Sequence, residues 1–127
     1  MTTLYTYLAV AGGGAIGACL RLFIQHQALN ILGKSFPFGT LAVNVLGSFL
    51  IGLIYAYFQQ QEIQNPHLKA FVTVGILGAL TTFSTFSLDT ILLVQEGNVA
   101  GALLNVFLNV VLCIGCVWLA LLILEGQ

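Results

Sequence analysis

The sequence predicts an all-α integral membrane protein with four transmembrane helices, the third broken at mid-membrane. Three observations carry this expectation. Hydrophobic residues fill 59% of the 127 positions and charged ones 6%, with a mean hydropathy of +1.04, far from the roughly 25% charged usage of soluble domains. The apolar residues gather into four stretches of a length that crosses a hydrocarbon core at about 1.5 Å rise per residue. Midway through the third stretch runs Thr81-Thr82-Phe83-Ser84-Thr85-Phe86-Ser87, five hydroxyls and two rings with no charge. An unsatisfied hydroxyl at membrane depth costs several kcal/mol, so this run lines a cavity or an interface rather than lipid.

The expected spans are residues 5–27, 38–59, 68–94 and 99–124, joined by short connectors in one transmembrane domain. Residues 28–37 hold Asn30, Gly33, Lys34 and Pro37, residues 60–67 hold Glu62, Asn65 and Pro66, and Glu96-Gly97 marks a tight turn. The first span has no basic region ahead of it and runs too long for a cleaved signal, so it reads as a retained helix. Its Gly13 and Gly17 are four apart and share a face with Arg21, a surface on which two backbones approach closely. The second span sets Thr40, Asn44 and Ser48 at i, i+4, i+8, and the fourth repeats the device with Asn105, Asn109 and Cys113. Such amides either tie helices together or line a path, and two stripes plus the hydroxyl run exceed what four helices need as glue.

In the third span, Gly75, Gly78 and the Thr/Ser cluster weaken the helix, since glycine costs roughly 1 kcal/mol against alanine and hydroxyls compete for backbone groups. A break is expected within residues 78–84. A broken helix exposes carbonyls at the end of its first half and N–H groups at the start of its second, ligands for cations and anions respectively. The alternative is an unbroken helix whose hydroxyls bond back to i−4 carbonyls.

Basic residues number three: Arg21 and Lys34 belong to one side of the membrane and Lys69 to the other. With so small a bias, the chain is expected to insert both ways and to pair as an antiparallel, dual-topology homodimer. So little positive charge also argues against a nucleic-acid partner. The cysteines Cys19, Cys113 and Cys116 lie in apolar stretches without the spacing of a zinc site and read as inert thiols. His26 and His67 fall near span ends, and Asp89 is the one carboxylate well inside a span, suited to proton carriage or to an interfacial role. Arg21 either draws anions toward a vestibule or snorkels to headgroups. No nucleophile–base constellation emerges, which argues against an enzyme.

What remains is a path of neutral donors. Asn44, Asn109 and the hydroxyls are joined by Phe83 and Phe86, three apart on one helical face, whose ring edges carry the positive end of the quadrupole. Conduction needs sites that attract an ion without trapping it, and neutral donors suit this better than a buried lysine.

Three segments carry a family resemblance: residues 13–21 (GGAIGACLR), 39–52 (GTLAVNVLGSFLIG) and 75–87 (GILGALTTFSTFS). In order, spacing and four-span layout they resemble the CrcB/Fluc family of bacterial fluoride channels. The resemblance implies a passive, selective channel in the bacterial inner membrane that lets fluoride leave the cytoplasm and so relieves its toxicity. It implies two pores in an antiparallel dimer, fluoride met by the edges of Phe83 and Phe86 and by Asn44, and donors from Ser84 and Thr85. It also implies a structural sodium ion on the dimer axis, held by backbone carbonyls of Gly78 and Thr81. On the fourth span this chain departs from its relatives, which often carry serine, threonine or tyrosine where it has Asn105, Asn109 and Cys113; Asn109 is carried over to the path, whereas a thiol donates poorly compared with a hydroxyl, which argues against Cys113. Arg21 matches the family arginine closing the first span, with a vestibule role. Two rivals stand beside this reading: a small multidrug antiporter, which needs a carboxylate in the first span where this chain has none, and a membrane scaffold without transport.

Overall fold

The structure, a computed structural model, describes the backbone of residues 2–125 and the side chains of residues 3–125. It is all-helical over those residues, with four helical spans long and apolar enough to cross a membrane. Helix α1 covers Thr2–Leu32 and α2 covers Phe38–Gln60. The third span is two helices: α3, made of Pro66–Lys69, Ala70–Leu77 and Gly78–Leu80, and α4, Phe83–Gln95. Helix α5 covers Val99–Glu125.

Each boundary has a local cause. Helix α1 outruns the expected 5–27 because its polar end, Gln25 to Asn30, contains no breaker; it stops where Gly33 takes φ +84 and returns its N–H to the Leu29 carbonyl at 3.0 Å. Helix α3 opens with Asn65 as cap, its side chain accepting from the N–H groups of His67 and Leu68, and with Pro66 in the first turn. Helix α5 is capped by Asn98, which accepts from Gly101 N–H at 2.8 Å.

One feature of α3 was not legible in the sequence: Ala70–Leu77 is wound as a π-helix, an unusually long run of a rare geometry. Its backbone lies directly on α1. A Cβ added to Gly13 would stand 2.3 Å from the Phe71 carbonyl oxygen, and one added to Gly17 would stand 2.1 Å from that of Ile76. The expected small-residue face of the first span is therefore a seam of backbone against backbone. Gly17→Ala is expected to destabilise the protein by about 2 kcal/mol or more, because no flexible side chain can yield there. Thermal unfolding in detergent measures this, with Gly14→Ala as control, since nothing lies within 4 Å of that position; equal stability of the two variants would refute the seam.

The apolar interior is slight. Val43, Leu77 and Leu80 form its centre, with Ile24, Leu50, Ile54, Val72 and Ile76 against them. Helix α2 packs mainly on α5, through Gly52 beside Ala120 and Val117, and α1 mainly on α3. Much of the remaining apolar surface is exposed, as lipid requires of a spanning protein.

Candidate functional site at the helix break

The break falls inside the expected segment, at Thr81 and Thr82, both extended (φ −87, ψ 156 and φ −151, ψ 117). Thr82 caps α4: its hydroxyl accepts from Thr85 N–H at 3.1 Å, and its own N–H donates to Asn44 Oδ1 at 2.8 Å. Asn44 Nδ2 returns a bond to the Thr82 carbonyl at 3.1 Å. The buried amide thus grips both polar groups of Thr82 and replaces the helical partners the break removes. Elsewhere in the span, Thr81, Ser87 and Thr90 do donate to the i−4 carbonyls of Leu77, Phe83 and Phe86, so the back-bonding expected of an unbroken helix coexists with the break.

From Asn44 the polar contacts continue across to α5. Asn44 Nδ2 donates to Asn109 Oδ1 at 3.0 Å, Asn109 Nδ2 to the side chain and backbone oxygens of Asn105 at 3.0 and 2.9 Å, and Asn105 Nδ2 to Thr90 Oγ1 at 2.9 Å. Thr90 closes the circuit by donating to the Phe86 carbonyl at 2.8 Å. All three asparagines are buried, Asn105 completely. Cys113, next along the α5 stripe, lies against Ser48 of the α2 stripe. The two predicted stripes therefore face each other. Thr90 escaped the sequence reading; its spacing of four residues from Phe86, on the same face of α4, is the signal that could have found it.

Phe83 and Phe86 meet as expected of residues three apart, with ring centroids 5.3 Å apart and planes tilted at 57°. Their surroundings differ: Phe86 is 8% exposed and Phe83 78%. Ser84 is exposed, its Oγ 3.4 Å from the Thr82 hydroxyl, and Thr85 is half-buried. Phe83 sits on the rim of a groove of about 450 Å³ that runs along the break past Asn44, Ser48, Thr73, Thr81, Asn109 and Cys113 and opens on the surface of the subunit. A second cavity of about 450 Å³ lies between the end of α1, the start of α2 and α4, and holds His26, Lys34, Thr40, Thr85, Asp89 and Glu96. There the Thr40 hydroxyl donates to Asp89 at 2.8 Å, a link between the top of the α2 stripe and the intramembrane carboxylate that the sequence did not reveal.

Arg21 is half-buried, and its Nε donates to the Ala79 carbonyl at 3.0 Å. A fixed positive charge so placed complements the negative end of α3. The Nε of Arg21 is thus tied to the end of the first half of the broken span. Gly78 and Thr81, the residues of the implied sodium site, flank this contact. In a continuous helix their carbonyls would accept from Thr82 and Thr85, but those N–H groups bond Asn44 and Thr82 Oγ1 instead. The break thereby strips both carbonyls of their helical partners.

Four spans surrounding a mid-membrane helix break, with uncharged donors and acceptors gathered on it, define a multi-pass membrane protein organised around a polar interior. Among the described residues no cluster of His, Cys, Asp or Glu forms a metal site. The chain belongs to the CrcB family: residues 8–121 match the family model described as CrcB-like protein, Camphor Resistance (CrcB). It is 54% identical over 112 residues to the fluoride-specific ion channel FluC of Pseudoalteromonas translucida (strain TAC 125), covering 88% of this chain and 93% of that protein. It is 56% identical to the protein of the same name from Shewanella piezotolerans (strain WP3 / JCM 13877) and 58% to that from Shewanella sp. (strain ANA-3), over 88% of this chain and 90% of each. The family is one of channels, not of enzymes.

Proposed function

We propose that this chain is a fluoride channel of the bacterial inner membrane, which lets fluoride leave the cytoplasm passively through two pores of an antiparallel homodimer. The observation that carries the reading is the uncharged groove along the break, where Asn44, Asn109 and Phe83 meet, with Phe86 buried against Phe83 behind it. The groove's uncharged donors and the Phe83 ring edge attract an anion without fixing it. The amide hydrogens of Asn44 already bond the Thr82 carbonyl and Asn109. Fluoride passing there displaces one neutral acceptor for itself, an exchange that favours a small, strongly hydrogen-bonding anion. Ser84 and Thr85 supply hydroxyls beside the rings.

A second copy of the chain accounts for the groove's exposure. Polar groups at membrane depth require a partner, and a groove open on one subunit is closed by another. A structural sodium ion fits the break: carbonyls of Gly78 and Thr81 from two subunits would hold it, since both have lost their helical donors, while Arg21 occupies the Ala79 carbonyl between them. The ion would supply fixed positive charge at the dimer axis. Replacing sodium by a larger cation is expected to slow fluoride flux several-fold; indifference to the cation would remove the ion from the account.

The antiporter reading lacks its carboxylate in α1, and the chain's intramembrane Asp89 is engaged by Thr40. The deciding experiment is fluoride efflux from liposomes holding the purified chain, with chloride as control. Fluoride should leave far faster than from protein-free vesicles and chloride should not. Equal fluoride leakage from both preparations would refute the channel, and proton-coupled uptake of a cationic drug would restore the antiporter.

A further inference from the structure

The hydrogen bonds between Thr82 and Phe86 form a circuit with a fixed direction. Its first donor is a backbone N–H, that of Thr82, which can only donate; Asn44 must therefore present its oxygen there and its NH2 onward. Asn109 is then obliged to accept with its oxygen and donate with its nitrogen, and Asn105 the same. Thr90, accepting from Asn105, must turn its hydrogen to the Phe86 carbonyl, which can only accept. The amide orientations, ordinarily an open choice, are thus dictated by the two ends. Aligned donors polarise one another and strengthen the chain. The two ends, the cap residue Thr82 and the Phe86 carbonyl, bracket the first turn of α4, which carries Phe83 and Phe86.

We infer that Asn105 and Thr90 are positioning residues: they complete a one-way amide relay that ties the aromatic turn of α4 to the buried amides of Asn44 and Asn109 and polarises those amides. This rests on the fluoride-channel reading. Neither residue touches the groove along the break, so their effect on an ion is exerted through Asn44, Asn109 and the Phe86 backbone. With the Thr90 hydroxyl removed, the Asn105 amide loses its acceptor and the Phe86 carbonyl loses that donor, so the relay is cut from the aromatic turn and its polarisation is lost, while the Thr82 backbone still holds the Asn44 amide at the other end.

Thr90→Val and Thr90→Ser separate this role from packing. Valine keeps the shape of threonine and loses the hydroxyl, whereas serine loses a methyl group and keeps the relay. Fluoride efflux from liposomes is expected to fall about tenfold in Thr90→Val and to stay within about twofold of wild type in Thr90→Ser. Packing alone predicts the opposite order. The side-chain amide NMR resonances of Asn44, two residues along the relay from Asn105 and out of contact with Thr90, should shift in the valine variant and hold still in the serine one. Should Thr90→Val fail to assemble, Asn105→Leu interrupts the relay at the neighbouring link and should move the same Asn44 resonances and lower flux alike. Unchanged flux with unmoved Asn44 resonances in either interrupted variant overturns the relay. If the wild-type chain carries no fluoride, the channel reading falls, while the resonances still decide whether the relay exists.

Discussion

Phe83→Ile is expected to lower fluoride efflux about tenfold or more while leaving the fold and the dimer intact. The ring is 78% exposed on the subunit, so the substitution removes little packing from the described chain and leaves an apolar side chain on the rim of the groove. What it does remove is the ring edge, whose partial positive charge an aliphatic group cannot supply. Phe86→Ile should reduce flux at least as far, but that ring is 8% exposed, and its loss also leaves a void. The pair sits tilted, not stacked face to face, so losing one ring also frees the other. Efflux assays with size-exclusion chromatography check both results. Full flux from a correctly assembled Phe83→Ile variant would end the aromatic role.

Asn44→Asp is expected to reduce fluoride efflux to the level of protein-free vesicles. The substitution exchanges an NH2 for an oxygen at the point where Asn44 donates to the Thr82 carbonyl and to Asn109 Oδ1. Two hydrogen bonds become contacts between acceptors, each leaving a buried group unsatisfied at about 1–3 kcal/mol. Ionised, the new side chain repels an anion from the path; protonated, it restores one donor of the two. Asn44→Asp should therefore regain part of its flux when assayed in acid, and a variant as active as wild type at neutral pH would refute both the clamp and the pathway assignment.

Much of this architecture was legible from residue types and spacing. Four apolar stretches gave four spans, and the density of glycines and hydroxyls in residues 75–87 located the break to within a few residues. Gly13 and Gly17 announced a close helix contact because a missing Cβ can be read without knowing the neighbour. The Asn44 and Asn109 stripes announced polar faces for the same reason. Other features had no local signal. The π-helical winding of Ala70–Leu77 follows from its fit to α1, not from any residue that encodes such a turn. Arg21 read equally as a vestibule charge or a snorkelling side chain, and its bond to Ala79, 58 residues on, depends on how α1 crosses α3. The link from Thr40 to Asp89 is of the same kind.

The sequence by itself determined what must avoid lipid: which faces are small, which are polar, and where a helix yields. Tertiary structure decided how those needs are met. A hydrogen bond is a short-range, directional contact, so whether the Asn44 amide holds Thr82, Asn109 holds Asn105, or Asn105 holds Thr90 is settled only when packed helices bring them within about 3 Å. Periodicity along one helix fixes a side chain's direction but not what stands opposite it.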